Sequence, residues 1–273
     1  MSYLTCDRPI ISHAYMWAGL CSAFCCCNYL EEIYIINEMA EYYYNHRNPN
    51  CSIRITDETL KITPHTFQKN RPMWEEESIN YFYDNVPLDK CVNILDIGAQ
   101  SGLYSLYAKY LPKSQFYSFE PFLDTYKLLN DNIALNGITN VKTYNIGISN
   151  YKGDCVLNTS KTHNGLHTLG SNPLRFTDVV PVKINVDTID NLFYENDILV
   201  DFIKIDTEGW EYFILQGGEK TIQKYKPFIQ IEWCEMNMKQ CNVDMHEFRR
   251  YIDDKMGYVT KNLISEELFL VPK

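Results

Sequence analysis

The chain has no G-x-G-x-x-G, no paired C-x-x-C, no evident basic stripe and no internal repeat. Without the first, a dinucleotide-dependent dehydrogenase is a poor reading, because its pyrophosphate turn needs that glycine spacing. Without the second, a zinc site has no support. This holds despite ten cysteines: Cys21, Cys25, Cys26 and Cys27 cluster, while Cys6, Cys51, Cys91, Cys155, Cys234 and Cys241 are scattered. Free thiols fit a reducing cytoplasmic compartment. The third absence joins a formal net charge of -10, so the surface disfavours nucleic acid as the main partner. Charge is also missing locally, since Pro9 to Leu30 contains no Asp, Glu, Lys or Arg. Ser12, His13, Ser22 and Asn28 interrupt that run and no basic cluster precedes it, which reads as a buried helix. A membrane anchor over residues 9–30 is the alternative.

What is present describes a globular protein, with 45% hydrophobic and 22% charged residues and ample length for a core. Residues 1–70 form an N-terminal extension. It is rich in aromatics, with a helix predicted over EEIYIINEMAEYYYNH, a turn at RNPN, and a strand or hairpin in SIRITDETLKITP. Its aromatic surface suits contact with a partner or with a second copy of the chain. Residues 71–273 form the main domain, opening on a short helix in MWEEESINYFYDN. From Cys91 strands alternate with helices. VNILDIGA, QFYSFEP, VKTYNIGI, DFIKID and PFIQIEW are the strands, and YVTKN with ELFLVP ends the chain as a hairpin. Between the third and fourth core strands lies an insertion with GDCVLNTS, a polar loop and VVPVKINV. This order predicts an α/β fold around a mostly parallel sheet covered on both faces.

Ligands of such sheets bind beyond the carboxyl ends of the strands. Three features converge there. In DIGAQSG, Gly98 and Gly102 permit a tight turn around Ala99 and Gln100, with Asp96 just before it. Glu120 in FEP stands at the end of the second strand, where a carboxylate can accept both hydrogens of a ribose diol. Asn145, at the end of the third strand, can meet an adenine edge. A glycine turn with no phosphate-binding lysine, followed by a ribose carboxylate, suits S-adenosylmethionine (SAM).

On these residues the chain resembles the FkbM-type family of SAM-dependent methyltransferases. The likeness rests on LDIGAQSGLYS, FEP, LNDNIALNG, NIGISN followed by YKGD, VDTID, FIKIDTEGWEYFILQGG and PFIQIEW, in the family's order. It implies the class I, Rossmann-like fold, with a seven-stranded sheet whose last strand is antiparallel. It implies transfer of a methyl group to a hydroxyl, often on a sugar or glycosylated small molecule. It also assigns Asp96, Gly98, Ala99, Gln100, Gly102, Glu120, Pro121, Asn145, Ile146 and Gly147 to the cofactor, and Asp206 and Glu208 to the active site. Gly147 departs from the alanine usual in the family. No [DN]-P-P-[YF] follows the fourth strand, which disfavours an amine or base as acceptor.

Methyl transfer to oxygen needs a place for the hydroxyl proton. Candidates are His163 and His167 in the insertion, together with Asp206, Glu208 and Glu232. A histidine near its ordinary pKa suits the task. Asp206 and Glu232 end neighbouring strands, where they can share a proton or hold Mg2+ against two sugar hydroxyls. Lys204, in the middle of a buried strand, needs a carboxylate partner, either Asp206 or Glu232. Glu208 can otherwise cap the following helix. Tyr151, Arg175, Trp210 and Trp233 are candidate sugar contacts. Alternatives to the small-molecule reading are an RNA ribose methyltransferase using Lys204, Asp206 and Glu232, and a non-catalytic SAM-binding module.

Overall fold

The computed structural model describes residues 42–44, 53–55, 76–87, 90–163 and 165–273. Most of the 1–70 extension, with the run at 9–30, lies outside them. Where the extension is described, β1 (Tyr42–Tyr44) pairs antiparallel with β2 (Ile53–Ile55). Tyr42–Tyr44 therefore departs from the helix expected there. Consecutive tyrosines favour extended backbone, and pairing with β2 decides the outcome. No helix among the described residues is long and apolar enough to cross a membrane.

The main domain begins with α1 (Glu76–Asp84) and β3 (Asn93–Ile97), followed by a short 3-10 helix over Ser105–Tyr110. Next come β4 (Gln115–Phe119), α2 (Leu123–Leu135), β5 (Val141–Tyr144) and β6 (Gly147–Ile148). The insertion supplies β7 (Gly153–Ser160) and β8 (Val179–Asp187). Then follow β9 (Phe202–Ile205), α3 (Glu211–Gln216), α4 (Glu219–Tyr225) and β10 (Phe228–Glu232). The chain ends with α5 (Glu235–Gln240), α6 (Met245–Arg250), β11 (Tyr258–Ile264) and β12 (Glu267–Pro272).

Seven strands make one sheet in the order β11-β12-β10-β9-β3-β4-β5, parallel except for β12. This is the class I methyltransferase arrangement. A smaller sheet, ordered β6-β8-β7, carries the insertion.

Alternation along the central strands gives the large sheet two unlike faces. Leu95, Ile97, Ile203, Ile205, Ile229 and Ile231 project into one apolar core. Ile94, Phe116 and Phe202 project into the other, which α1 closes with Ile79, Phe82 and Tyr83. On this second face the register sets Ser118, Asp96, Lys204 and Gln230 side by side across four strands. All four are buried. A polar row therefore crosses an otherwise apolar core.

Close approach also fixes the seam between the end of α3 and the segment after β6. A Cβ on Gly217 would lie 2.1 Å from the Ser149 carbonyl oxygen, whereas one on Gly137 would meet nothing within 4 Å. Gly217→Ala should lower stability by about 2 kcal/mol or more through that collision. Gly137→Ala should cost only its left-handed backbone preference, about 1 kcal/mol. Urea unfolding of the two variants checks the ranking.

Candidate active site

The glycine turn has a steric cause. Gly98 and Ala99 donate from their backbone amides to the Phe119 carbonyl, which draws the turn against the end of β4. On its other side, a Cβ on Gly98 would lie 1.8 Å from the Asp206 carbonyl oxygen. Both Gly98 (φ 78) and Gly102 (φ 98) also occupy the left-handed region, where glycine is at ease. Gln100 adopts φ 49 between them, and its amide donates to Glu120 Oε2 at 3.0 Å.

Glu120 is buried and its two oxygens are unequal. Oε1 accepts from the Phe122 amide at 2.8 Å and from Thr125 Oγ1 at 2.8 Å, while among the described residues Oε2 takes only the Gln100 amide. Burial pushes its pKa up, and these donors work the other way. Asn145 donates its side-chain amide to the carbonyls of Glu120 at 2.9 Å and Pro121 at 3.0 Å. That nitrogen therefore pins the strand end, leaving the carbonyl side of the amide for other contacts. Ile146 packs against the larger core, and a Cβ on Gly147 would stand 3.1 Å from Val186 Cγ1. The alanine usual in the family would thus crowd β8 here. The expected cofactor residues are brought together at the ends of β3, β4 and β5.

Lys204 connects this turn to the loop that follows β9. Its Nζ lies 3.4 Å from Asp206 and 3.8 Å from Asp96, and donates to the Gly98 carbonyl at 3.3 Å. It also stands 4.8 Å from the centre of the Tyr104 ring. Of the two partners expected for it, Asp206 or Glu232, Asp206 is in place, and Asp96 joins in. Asp96 is further held by the Ser105 hydroxyl at 2.5 Å. Lys204 thus braces the cofactor turn and Asp206 from within the sheet.

Beyond Asp206, oxygens of Asp206, Glu208 and Glu232 lie within 4.8 Å of one another. Burial and the Asp206 charge push Glu208 up to about 8, and Glu232 is raised by burial and by both neighbours. Arg175 from the insertion reaches Glu208 Oε2 at 2.8 Å, and Asn237 donates to both oxygens of Glu232. Arg175 Nη1 also approaches Asn237 Oδ1 at 3.4 Å, so one chain of contacts spans all four residues.

Glu208 does not take the helix-capping role considered for it: Trp210 stands at the cap of α3 with no side-chain cap hydrogen bond, and Glu211 braces the loop before the helix instead. Its Oε1 accepts from the Thr207 amide at 2.8 Å, Thr207 Oγ1 at 2.9 Å and the Gly209 amide at 3.3 Å. Glu208 has φ 57, and its carbonyl accepts from Thr168 Oγ1 and Gln240 Nε2, both at 2.8 Å. Glu211 is buried and its pKa is raised to about 7, chiefly by desolvation. Its spacing of four from Thr207 is the available sequence signal for this brace.

The two histidines diverge. His163 is exposed. His167 packs edge-on against Phe122 with ring centres 4.6 Å apart, and burial pulls its pKa down to about 4. That value leaves the ring far below the near-neutral basicity sought in a histidine base. Trp210 packs on Phe213 and donates to Ser149 Oγ, and Trp233 packs on Phe248, so both tryptophans serve the core. Tyr151 is exposed, and Arg175 reaches the carboxylates.

With this geometry in place, the FkbM methyltransferase domain family matches residues 96–260. The chain belongs to the FkbM methyltransferase family. SAM is therefore its cofactor, and the site fits that group. Glu120 Oε2 accepts one hydrogen bond among the described residues, which leaves it a lone pair for a further donor, and Asp96 Oδ1 accepts none. Methyltransferase sdnD of Sordaria araneosa is 28% identical over 177 residues, covering 54% of this chain and 68% of that protein. Methyltransferase 1 of Beauveria bassiana is 25% identical over 179 residues, covering 59% and 72%. Among solved structures, a methyltransferase FkbM from Methylobacillus flagellatus KT aligns with TM-score 0.43 and 16% identity. That alignment covers 79% of this chain and spans little more than half, 55%, of the other.

Two buried carboxyls with raised pKa values make stability depend on pH in a defined direction. Below a pKa of about 4.3 for an unfolded glutamate, both states hold the proton. Between there and about 7 for Glu211 or about 8 for Glu208, only the folded state does. These groups should therefore lower stability as pH rises through that window. Thermal unfolding should show Glu208→Gln and Glu211→Gln flattening the decline between pH 5.5 and 8. Glu211→Ala, which also strips the loop of its acceptor, should destabilise at every pH.

Proposed function

We propose that this chain is an O-methyltransferase, moving the methyl group of SAM to a hydroxyl of a sugar or a glycosylated small molecule. The carrying observation is the group of Asp206, Glu208 and Glu232 beside the cofactor turn. Adjacent carboxylates are acceptors suited to hydroxyl donors, as a polyol presents them. When bound, SAM supplies an electrophilic methyl carbon, and transfer needs an oxygen aligned behind it.

Glu208 is the base in this reading. Its raised pKa lets it take a proton near neutral pH, and Asp206 and Glu232 position the acceptor through its neighbouring hydroxyls. Arg175 beside it favours the ionised form. Lys204 keeps Asp206 in place and does not reach the acceptor.

A divalent cation such as Mg2+ is the second reading of the same three carboxylates. Arg175 already holds Glu208 Oε2 and Asn237 both oxygens of Glu232, which favours direct hydrogen bonding to the acceptor. RNA as acceptor is disfavoured by the net charge of -10. A cytoplasmic location and self-association through the N-terminal extension complete the proposal.

Turnover of methyl-labelled SAM against glycans, nucleotide sugars and RNA, with and without EDTA, tests these readings together. The expected result is transfer to a sugar hydroxyl that survives EDTA, with an acid limb near pH 8. Glu208→Gln should lower kcat by roughly 100-fold. Methylation of RNA alone, or of no acceptor hydroxyl, overturns the proposal.

A further inference from the structure

The insertion between β7 and β8 crosses the site in a few residues. Thr168 is its anchor. It pairs with Asn158 through two backbone hydrogen bonds, and its hydroxyl donates to the Glu208 carbonyl at 2.8 Å. The preceding residues turn toward the cofactor end. A Cβ on Gly165 would lie 3.9 Å from Gln100 Nε2, so the loop passes over the glycine turn at contact distance. His167 meets Phe122, whose own amide donates to Glu120 Oε1. Phe122 also packs with Leu157, Ile184 and Val186, which holds the insertion against the end of β4.

The His167 ring is held neutral, and its two nitrogens differ. A hydrogen bond to the Ser160 main chain opposes the effect of burial on its pKa. Nε2, however, is buried without any hydrogen-bond partner. In a neutral imidazole one nitrogen carries the proton and the other accepts, so with the proton on Nδ1 the Nε2 atom is a bare acceptor. A buried acceptor left unsatisfied is costly, and proteins generally give such atoms a partner. Here the neighbouring groups are the cofactor turn and the support of the ribose carboxylate.

We propose that His167 is a cofactor-binding residue: Nε2 accepts a hydrogen bond from a hydroxyl or amino group of the SAM nucleoside, beneath a cover formed by residues 165–168. The inference rests on the SAM reading of the site. It removes His167 from the list of bases and gives the insertion a role in holding the cofactor.

The test is calorimetric titration with S-adenosylhomocysteine and with 5′-methylthioadenosine, neither of which requires an acceptor. His167→Phe keeps an aromatic contact with Phe122 and deletes the acceptor nitrogen. Affinity for both ligands should fall by about 10-fold, as expected for one lost hydrogen bond. The variant loses the Ser160 contact and also removes an unsatisfied buried atom, so the thermal midpoint of the ligand-free protein should change little. This split separates ligand binding from a structural role, which would lower both quantities. Unchanged affinity overturns the proposal, as does a loss of affinity accompanied by a lowered ligand-free midpoint. Failure of the unsubstituted protein to bind either ligand overturns the SAM reading itself, and is distinct from a failure of His167 alone.

Discussion

An ammonium group in the central strand of a parallel sheet constrains everything around it. Lys204 has only 4% of its surface exposed, and an isolated charge so placed would be very costly. The surroundings answer with Asp206 and Asp96, the Gly98 carbonyl and the face of Tyr104. Each partner belongs to a different part of the fold: the loop after β9, the strand β3, the glycine turn and the residues that follow that turn. The same charge that must be compensated therefore aligns the pieces that must be aligned. Ser105 extends the arrangement by joining Asp96 to Ser118 on β4, at 2.5 Å and 2.6 Å. A buried ion pair is weak ground for stability but constrains geometry strongly.

Much of this was legible because it is local. DIGAQSG, FEP and DFIKID are short runs whose side-chain types mark strand ends and turns, and strands alternating with helices carry the topology. The partner of Lys204 could be narrowed to a carboxylate because a buried ammonium permits little else. Asp96 was missed as that partner although it faces Lys204 in the sheet register, since register across β3 and β9 comes from the assembled fold. Arg175 meets Glu208 across 33 residues of sequence, and Asn145 grips Glu120 across 25, so neither pairing has a local signature. Tyr42–Tyr44 shows the limit from the other side. Its helical spacing was real, but pairing with Ile53–Ile55 prevailed.

The insertion converts a general cofactor fold into a particular site. β7 and β8 stand apart from the large sheet and are tied to it by Phe122 and Thr168. Arg175 then leaves the same insertion to reach the carboxylates. A change in the length or packing of this segment would move the partner of Glu208 together with the contact on Phe122. Cofactor support and the ionisation of the loop after β9 are thereby linked through one stretch of backbone.

Asp206, Glu208 and Glu232 stand in a different balance from Lys204. Around the lysine, acidic and carbonyl groups outnumber the charge they surround. Around the three carboxylates, one guanidinium and one side-chain amide are the direct partners beyond Lys204 itself among the described residues. The deficit is borne as raised proton affinity at Glu208 and Glu232. A fold selected for stability alone would replace one of these acids by an amide, which would keep the hydrogen bonds and shed the repulsion. Retaining three acids beside the cofactor turn makes sense when a hydroxyl-bearing acceptor completes the site, because its donors relieve the repulsion and its proton needs a base.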